Sequence, residues 1–347
     1  MIRVAVIGAG VMGSHHARVY HELEDAELLA VVDADPGCAS RVAAFHAARA
    51  YVDVEEMLER ERPEAVSVAV PTQAHHAIVS QALAANCHVL VEKPIAATLD
   101  EAAQLVAAAE ASGRVLMVGH IERFNPAIIE LKRRLAAGAL GRVFQIHARR
   151  LGPFPPRVRD VGVVIDLATH DLDIMRYLTG SEAARLYAEI KRELHTPRED
   201  LLSASVCFQN DTLGLLEINW LTPTKVRELS VTGERGMFRA DYLTQDLFFY
   251  ENAEASAADW DALSLLRGVS EGAMIRFPLQ RVEPLRAELE AFLAAVNGAA
   301  DGLVTGRDGL AALHLALALI RSGEEHRSLE LAAMAPPGWQ IATCRTT

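Results

Sequence analysis

A short apolar run, Cys87-His88-Val89-Leu90-Val91, stops abruptly at an acid, a base and a proline, Glu92-Lys93-Pro94. Runs of this kind bounded by a breaker read as strands buried on both faces. Proline has no N–H to give a ladder, so the strand ends before Pro94. Ligands of open α/β sheets bind off the carboxyl ends of the strands, which puts Lys93 at such a mouth. On its own a lysine there is most often a solvated one. A second group of reactive side chains is Asp166-Leu167-Ala168-Thr169-His170, inside a segment, 162–178, that reads as a helix. Four apart on a helix, Asp166 and His170 share a face, with Asp173 three further on. That face is either a solvated polar surface or a metal site of one imidazole and two carboxylates.

The third group opens the chain. Residues 2–7 form a buried-strand run, followed by Gly8-Ala9-Gly10-Val11-Met12-Gly13 and a helix-compatible segment to about residue 22. The spacing is GxGxxG. Gly8 permits a tight turn, Gly10 lets the backbone approach a pyrophosphate, and Gly13 lets helix pack on strand. N–H groups at the helix start, with the positive end of its dipole, then hold the phosphates. The next strand, 28–32, ends in Asp33, 20 residues after Gly13. A carboxylate there accepts hydrogen bonds from the adenosine ribose hydroxyls and repels a 2′-phosphate. Ala34 follows, where an NADP enzyme tends to place a cation, so the pattern favours NAD.

These groups need a scaffold, and the pattern supplies an α/β one. Strands at 51–52, 65–70 and 115–118 alternate with helices at 54–60, 75–85 and 98–111, the last opened by a Thr98/Glu101 capping box. Short links between alternating elements indicate a doubly wound parallel sheet. Asn125-Pro126 reads as an N-cap with proline at the first helical position, and Gly138 and Gly141 close that helix. Beyond it the pattern changes. A strand at 143–149 and the 162–178 helix precede extended runs at 188–192, 203–208, 213–220, 226–232 and 247–250. Strands bunched in this way predict a C-terminal α+β domain with a mostly antiparallel sheet. Residues 253–275 carry no clear period and are expected to be a loop or short helices. Helices at 283–296 and 308–321 finish the chain. The expected domains are 1–122 and 123–347.

The chain has 347 residues, 51% of them hydrophobic, and a formal net charge of −12. That size favours two cores, and the acidity argues against nucleic acid or an anionic membrane as partner. Cys38, Cys87, Cys207 and Cys344 lack zinc or disulfide spacing, which suits a reducing cytoplasm. The histidine pairs His15/His16 and His75/His76 give no ligand geometry, since neighbours on a helix diverge; no metal is expected. Residues 203–208 and 213–220 alternate, with apolar positions expected on the open side of the sheet. Such a face suits a homodimer or homotetramer interface.

The order of GAGVMG at 8–13, Asp33, Pro71-Thr72, Glu92-Lys93-Pro94 and Asp166-xxx-His170 resembles the Gfo/Idh/MocA oxidoreductases. So do Glu283-Pro284-Leu285 and Thr305-Gly306-Arg307-Asp308-Gly309, so the likeness runs along essentially the whole chain. It implies an N-terminal Rossmann domain that binds NAD through Gly8, Gly10, Val11, Met12, Gly13, Asp33, Pro71, Thr72, His75, Glu92 and Lys93. It implies Lys93, Asp166 and His170 as the catalytic groups. Many relatives carry glycines before the aspartate, where this chain has Asp160-Val161-Gly162-Val163-Val164-Ile165.

Residues 119–126 and 220–225 further resemble the UDP-N-acetylglucosamine 3-dehydrogenase group, which implies a nucleotide-linked sugar as substrate. Cations at Arg123, Arg149, Arg150, Arg157, Arg159 and Lys225 are candidates for its diphosphate, because arginine forks suit phosphate oxygens. Arg123, Asn125, Arg150, Arg157 and Lys225 join Lys93, Asp166 and His170 as expected substrate contacts. The implied reaction removes a hydride from a secondary alcohol, so a base must stand within ~3 Å of its oxygen. Lys93 and His170 both qualify; the favoured assignment gives the proton to His170 and lets Lys93 polarise the oxygen while Asp166 orients the sugar. Alternatives within the family are an inositol or free-sugar dehydrogenase and an NAD-dependent glycosidase.

Overall fold

A computed structural model describes residues 1–155, 161–194, 197–252, 271–299 and 302–331. The chain forms two compact units. The first is Met1–Phe124 with Val282–His314, and the second comprises the described residues of Asn125–Arg281 and Leu315–Thr347.

In the first unit β1 (Ile2–Ile7), β2 (Ala26–Val32), β3 (Arg49–Tyr51), β4 (Ala65–Val68), β5 (His88–Glu92) and β6 (Leu116–Gly119) make one parallel sheet. Their order is β3-β2-β1-β4-β5-β6, with the reversal of direction between β1 and β4. The continuous apolar runs are explained by burial on both faces: Val4, Val6, Val66, Val89, Leu90 and Val91 are fully buried. The connecting helices are α1 (Val11–Glu22), α2 (Pro36–Phe45), α3 (Val54–Glu61), α4 (His75–Ala84) and α5 (Leu99–Ser112). The α5 capping box forms as its sequence requires, Thr98 accepting from Glu101 N while Glu101 accepts from Thr98 N. The sequence reading gave no helix at α2. Its buried face holds only Ala39, Val42 and Ala43, too small a stripe to stand out, and the helix relies on Asp35 accepting from Gly37 N and Cys38 N.

The second unit opens with α6 (Pro126–Ala136), started by Asn125, whose Oδ1 accepts from Ala127 N. Next come β7 (Val143–Pro153), a π-turn at Val164–Ala168, α7 (Thr169–Thr179) and β8 (Ala183–Lys191). The remaining strands are β9 (Leu201–Phe208), β10 (Leu213–Asn219), β11 (Leu221–Gly233), β12 (Gly236–Asp241), β13 (Asp246–Asn252), β14 (Glu271–Phe277) and β15 (Leu329–Glu330). They form a nine-stranded sheet ordered β14-β13-β12-β11-β7-β10-β9-β8-β15. Every neighbouring pair is antiparallel except β7 with β10.

Three expectations are corrected here. Residues 271–275 lie in β14 rather than in a loop or short helix, while 253–270 fall outside the described residues. β12 was not anticipated either. The apolar alternation of 203–208 and 213–220 faces inward: Ala204, Val206, Phe208, Leu216 and Ile218 are buried. The physical reason is α7, whose Met175 sulfur comes so close to β10 that a Cβ on Gly214 would lie 2.8 Å from it. The open side carries Ser203, Ser205, Cys207 and Glu217, with Leu213 and Leu215 as its apolar members on β10.

After β14 come α8 (Pro284–Val296) and α9 (Gly306–Glu325). The expected second domain ran unbroken from 123 to the end, whereas Val282–His314 packs with the first unit. Thr305 bridges Met117 of β6, and Gly306 and Gly309 lie against Leu116 and Val118. A box between Thr305 and Asp308 opens α9, each accepting the other's backbone N–H.

Candidate active site

The first unit builds a turn after β1 that only glycine can make. Gly8 sits at φ +101°, and a Cβ there would collide with the Ala69 carbonyl; one on Gly13 would collide with Gly8 itself. Gly10 is different, because nothing lies within 4 Å of where its Cβ would be. The N-terminus of α1 has no side-chain cap, and Gly10 and Val11 are exposed, so its N–H groups remain available to a phosphate. Met12 is half-exposed beside them. Across the turn, half-exposed Asp33 accepts from Ala9 N at 2.7 Å and Asp35 N at 2.9 Å. Carboxylate oxygens accept more than one bond each, so lone pairs remain for ribose hydroxyls. At the end of β4, on the other side of the sheet reversal, Pro71 is exposed and Thr72 half-exposed in a short 3₁₀ turn.

Lys93 follows β5 and is half-exposed, as strand-stop reasoning placed it. Glu92 before it folds back so that Oε2 accepts the Lys93 N–H at 3.3 Å. His16 Nε2 lies 3.1 Å from Glu92 Oε1, and since a carboxylate only accepts, this nitrogen donates. Burial pushes the Glu92 carboxyl up, but the His16 hydrogen bond and charge and the nearby Lys93 outweigh it and hold the carboxyl below its ordinary range.

His75 does not offer a polar atom to a cofactor, which corrects its expected role. It is 1% exposed, with Nδ1 2.8 Å from the Pro94 carbonyl and Nε2 3.0 Å from the Val70 carbonyl. A neutral imidazole carries one N–H, so the ring donates to one of these two carbonyls and lies between the loop after β4 and the loop after β5. Burial lowers its pKa more than the carbonyls raise it.

In the second unit the helical segment sorts its own residues. Between Gly162 and Met175 every side chain is buried except Asp166 and His170, which are both half-exposed. The shared face inferred from their spacing is thus the segment's single accessible stripe. Asp166 lies in the π-turn, where the sequence predicted plain α-helix, and His170 is in the first turn of α7. Asp173 is fully buried and takes no part in that stripe.

Several expected substrate cations are committed elsewhere. Arg150 is 3% exposed, and Asp171 holds it in a two-pronged pair at 2.8 and 3.0 Å. It faces the core from β7 and stacks over the Tyr242 ring, so it is corrected to a structural role. Arg149 points to the open side, where its cross-strand neighbours on both sides, Glu217 and Glu228, take its charge. Arg123 pairs with Asp308 at 3.2 Å. Asn125 is 2% exposed, capping α6 with its oxygen and giving its amide to the Tyr242 carbonyl, so it too is corrected to a structural role. Lys225 is exposed on β11, and Arg157 and Arg159 lie outside the described residues.

Sequence reasoning gave no role to His16, Tyr20, Ser67 and Glu288, which are all fully buried, Tyr20 hydrogen-bonded to Ser67 and His16 to Glu92. One signal was available: Glu288 stands in the apolar stripe Leu285, Leu289, Phe292 of α8, where leucine would be ordinary.

Comparison with known proteins agrees with this fold. Residues 2–120 match the oxidoreductase family GFO/IDH/MocA, NAD-binding Rossmann fold, and residues 128–239 match the GFO/IDH/MocA C-terminal domain. The chain is 31% identical to a UDP-N-acetylglucosamine 3-dehydrogenase of Acidithiobacillus ferrooxidans, over 90% of this chain and 95% of that protein. It is 30% identical to inositol 2-dehydrogenase 1 of Saccharopolyspora erythraea, over 95% and 96%. A solved structure of the Acidithiobacillus ferrooxidans 3-dehydrogenase superposes with a TM-score of 0.81 at 30% identity, covering 93% of this chain and 98% of that one. With its glycine turn, Asp33 and β3-β2-β1-β4-β5-β6 sheet, the chain belongs to the GFO/IDH/MocA oxidoreductases and is an NAD-dependent sugar dehydrogenase.

Proposed function

We propose that the protein oxidises the 3-hydroxyl of a UDP-linked N-acetylamino sugar such as UDP-N-acetylglucosamine, with Lys93, His170 and Asp166 as its catalytic groups. The observation that carries the catalytic assignment is the accessible stripe of the 162–175 segment, reduced to one carboxylate and one imidazole. Bound NAD supplies the hydride acceptor. The C–H bond breaks with its electron pair leaving as hydride, the O–H proton leaves to a base, and a ketone remains. His170 takes that proton, since histidine exchanges protons near neutrality. The Lys93 ammonium stabilises the developing alkoxide. Asp166 holds a neighbouring hydroxyl, fixing which carbon faces the ring. The 31% identity to a UDP-N-acetylglucosamine 3-dehydrogenase favours this substrate.

A second reading is an inositol 2-dehydrogenase. It is favoured by the commitment of Arg149 and Arg150 to carboxylates, which removes two cations that a diphosphate would use. Steady-state reduction of NAD across a panel of UDP-sugars, free sugars and inositols tests both. Turnover of inositols with no turnover of UDP-N-acetylglucosamine would overturn the nucleotide-sugar proposal. The proposed state is a cytoplasmic homodimer or homotetramer, which light scattering on the purified protein tests.

A further inference from the structure

The π-turn that carries Asp166 has no side-chain cap of its own. It starts at Val163 and Val164, whose side chains cannot accept a hydrogen bond, and both residues are buried. Buried N–H groups at a helix start need acceptors from elsewhere. Glu199, 35 residues beyond Val164 in the link between β8 and β9, supplies two. Its carbonyl accepts from Val163 N at 2.9 Å and its Oε1 from Val164 N at 3.3 Å. The carboxyl also lies flat on Gly162, where a Cβ would collide with Cδ and both oxygens. Gly162 in turn accepts from Asp166 N at 3.0 Å. An unbroken path of contacts thus runs from the Glu199 carboxyl through Gly162 to Asp166.

Glu199 is itself held. It is 4% exposed, and its neighbour Asp200 is fully buried. The Asp200 carboxylate accepts from Glu193 N at 2.9 Å and Leu194 N at 2.8 Å. Asp200 N donates to the Lys191 carbonyl at 2.9 Å, and the Asp200 carbonyl accepts from Trp220 N at 2.9 Å. The two acceptors of Glu199 are therefore anchored to the ends of β8 and β10 rather than to the helical segment they cap. Each residue of a helix turns the chain by ~100°, so a small rewinding at Val163 and Val164 would swing Asp166 out of line with His170.

We propose that Glu199 is a positioning residue for the reaction, holding the start of the π-turn so that Asp166 is presented beside His170. This deepens the catalytic assignment made above and rests on it. Asp166 is the group that fixes which carbon faces the cofactor. Loosening it should raise the substrate KM, lower kcat and yield a mixture of ketones instead of one. NADH binding, which belongs to the first unit, should not change. Burial pushes the Glu199 carboxyl up, and what Val164 N requires is an acceptor, not a charge. An amide at 199 should therefore serve as well.

The test compares Glu199→Ala, Glu199→Gln and Gly162→Ala in the whole chain. Glu199→Ala keeps the backbone acceptor and loses the side-chain one. The cleft of about 290 Å³ beside it, lined by Val161, Gly162, Ile165, Arg192 and Arg198, lets water reach the freed N–H, so folding is retained. In Gly162→Ala the added methyl displaces the carboxyl instead. Two readouts are taken: hydrogen exchange of the 162–170 peptide, and steady-state kinetics with UDP-N-acetylglucosamine, or with an inositol where the substrate panel selects one. In Glu199→Ala and Gly162→Ala exchange should quicken about tenfold and kcat/KM fall about 10²-fold, with Glu199→Gln close to the natural protein. Unchanged exchange in both, or a Glu199→Gln as impaired as Glu199→Ala, overturns the role of Glu199. Where exchange quickens and the kinetics do not move, Asp166→Asn separates the two ideas. An impaired Asp166→Asn then overturns the role of Glu199, and a silent one overturns the catalytic assignment and that role with it.

Discussion

A single side chain is judged by what its neighbours leave it free to do. Lys93 stands half-exposed at a strand end whose geometry is fixed on both sides, by Glu92 accepting its N–H and by His75 facing the Pro94 carbonyl. Lys93→Ala should therefore lower kcat by ~10²–10⁴-fold, the usual size of a lost acid–base or polarising group. NAD should still bind, and fluorescence titration with NADH alongside the rate measurement separates the two effects. Arg150 is the opposite case. Breaking its buried pair with Asp171 strands a charge in the core, and Arg150→Ala should cost about 3–5 kcal/mol of stability. Arg150→Met combined with Asp171→Leu should recover most of the loss in a thermal melt, which no substrate-binding role would produce. Residue type and spacing put Lys93 at a half-exposed strand end and Asp166 with His170 on one accessible stripe. They did not reveal that Arg150 is spent on Asp171, because β7 alternates and adjacent arginines at 149 and 150 look identical until the core-facing side is known.

Elements were legible where their signals were strong and local. The α5 capping box, the Asn125-Pro126 start of α6 and the buried strands of the first unit follow from chemistry within a few residues. α2 and β14 were not, since one presents only small side chains to the sheet and the other follows a long stretch without period. The π-turn is a further case: nothing in Val164–Ala168 distinguishes it from α-helix by propensity, and only packing selects it. The glycine turn gives the sharpest test at this level. In Gly13→Ala the added methyl meets the Gly8 carbonyl, so α1 must move away from β1. Loss of NAD binding by at least tenfold is expected, together with a lower melting temperature; unchanged affinity would contradict the packing. Gly10→Ala has room for its methyl in the unliganded protein, so its melting temperature should barely change even if binding weakens.

At the level of the molecule, buried histidine sets how the protein responds to acid. His75 has a folded pKa below the 6.5 of an unfolded histidine, chiefly through burial. Unfolded chains then take up a proton that folded ones refuse, so this contribution is complete above that pH and is lost as acidity increases through the folded value. A His75→Gln variant should show a flatter melting temperature between neutrality and mild acid than the natural protein. An identical slope would mean that other groups carry the effect. Two-unit organisation was readable from the switch in pattern near residue 123, but the return of Val282–His314 to the first unit was not, because a helix records no destination in its own sequence. That return bears on biosynthesis. A ribosome delivers the chain from its N-terminus, and the nucleotide-binding half still lacks α8 and the Thr305 bridge when residue 124 emerges. Its apolar flank must wait through more than 150 further residues for its cover, so a nascent fragment ending at 124 should be protease-sensitive until the 282–314 stretch is supplied.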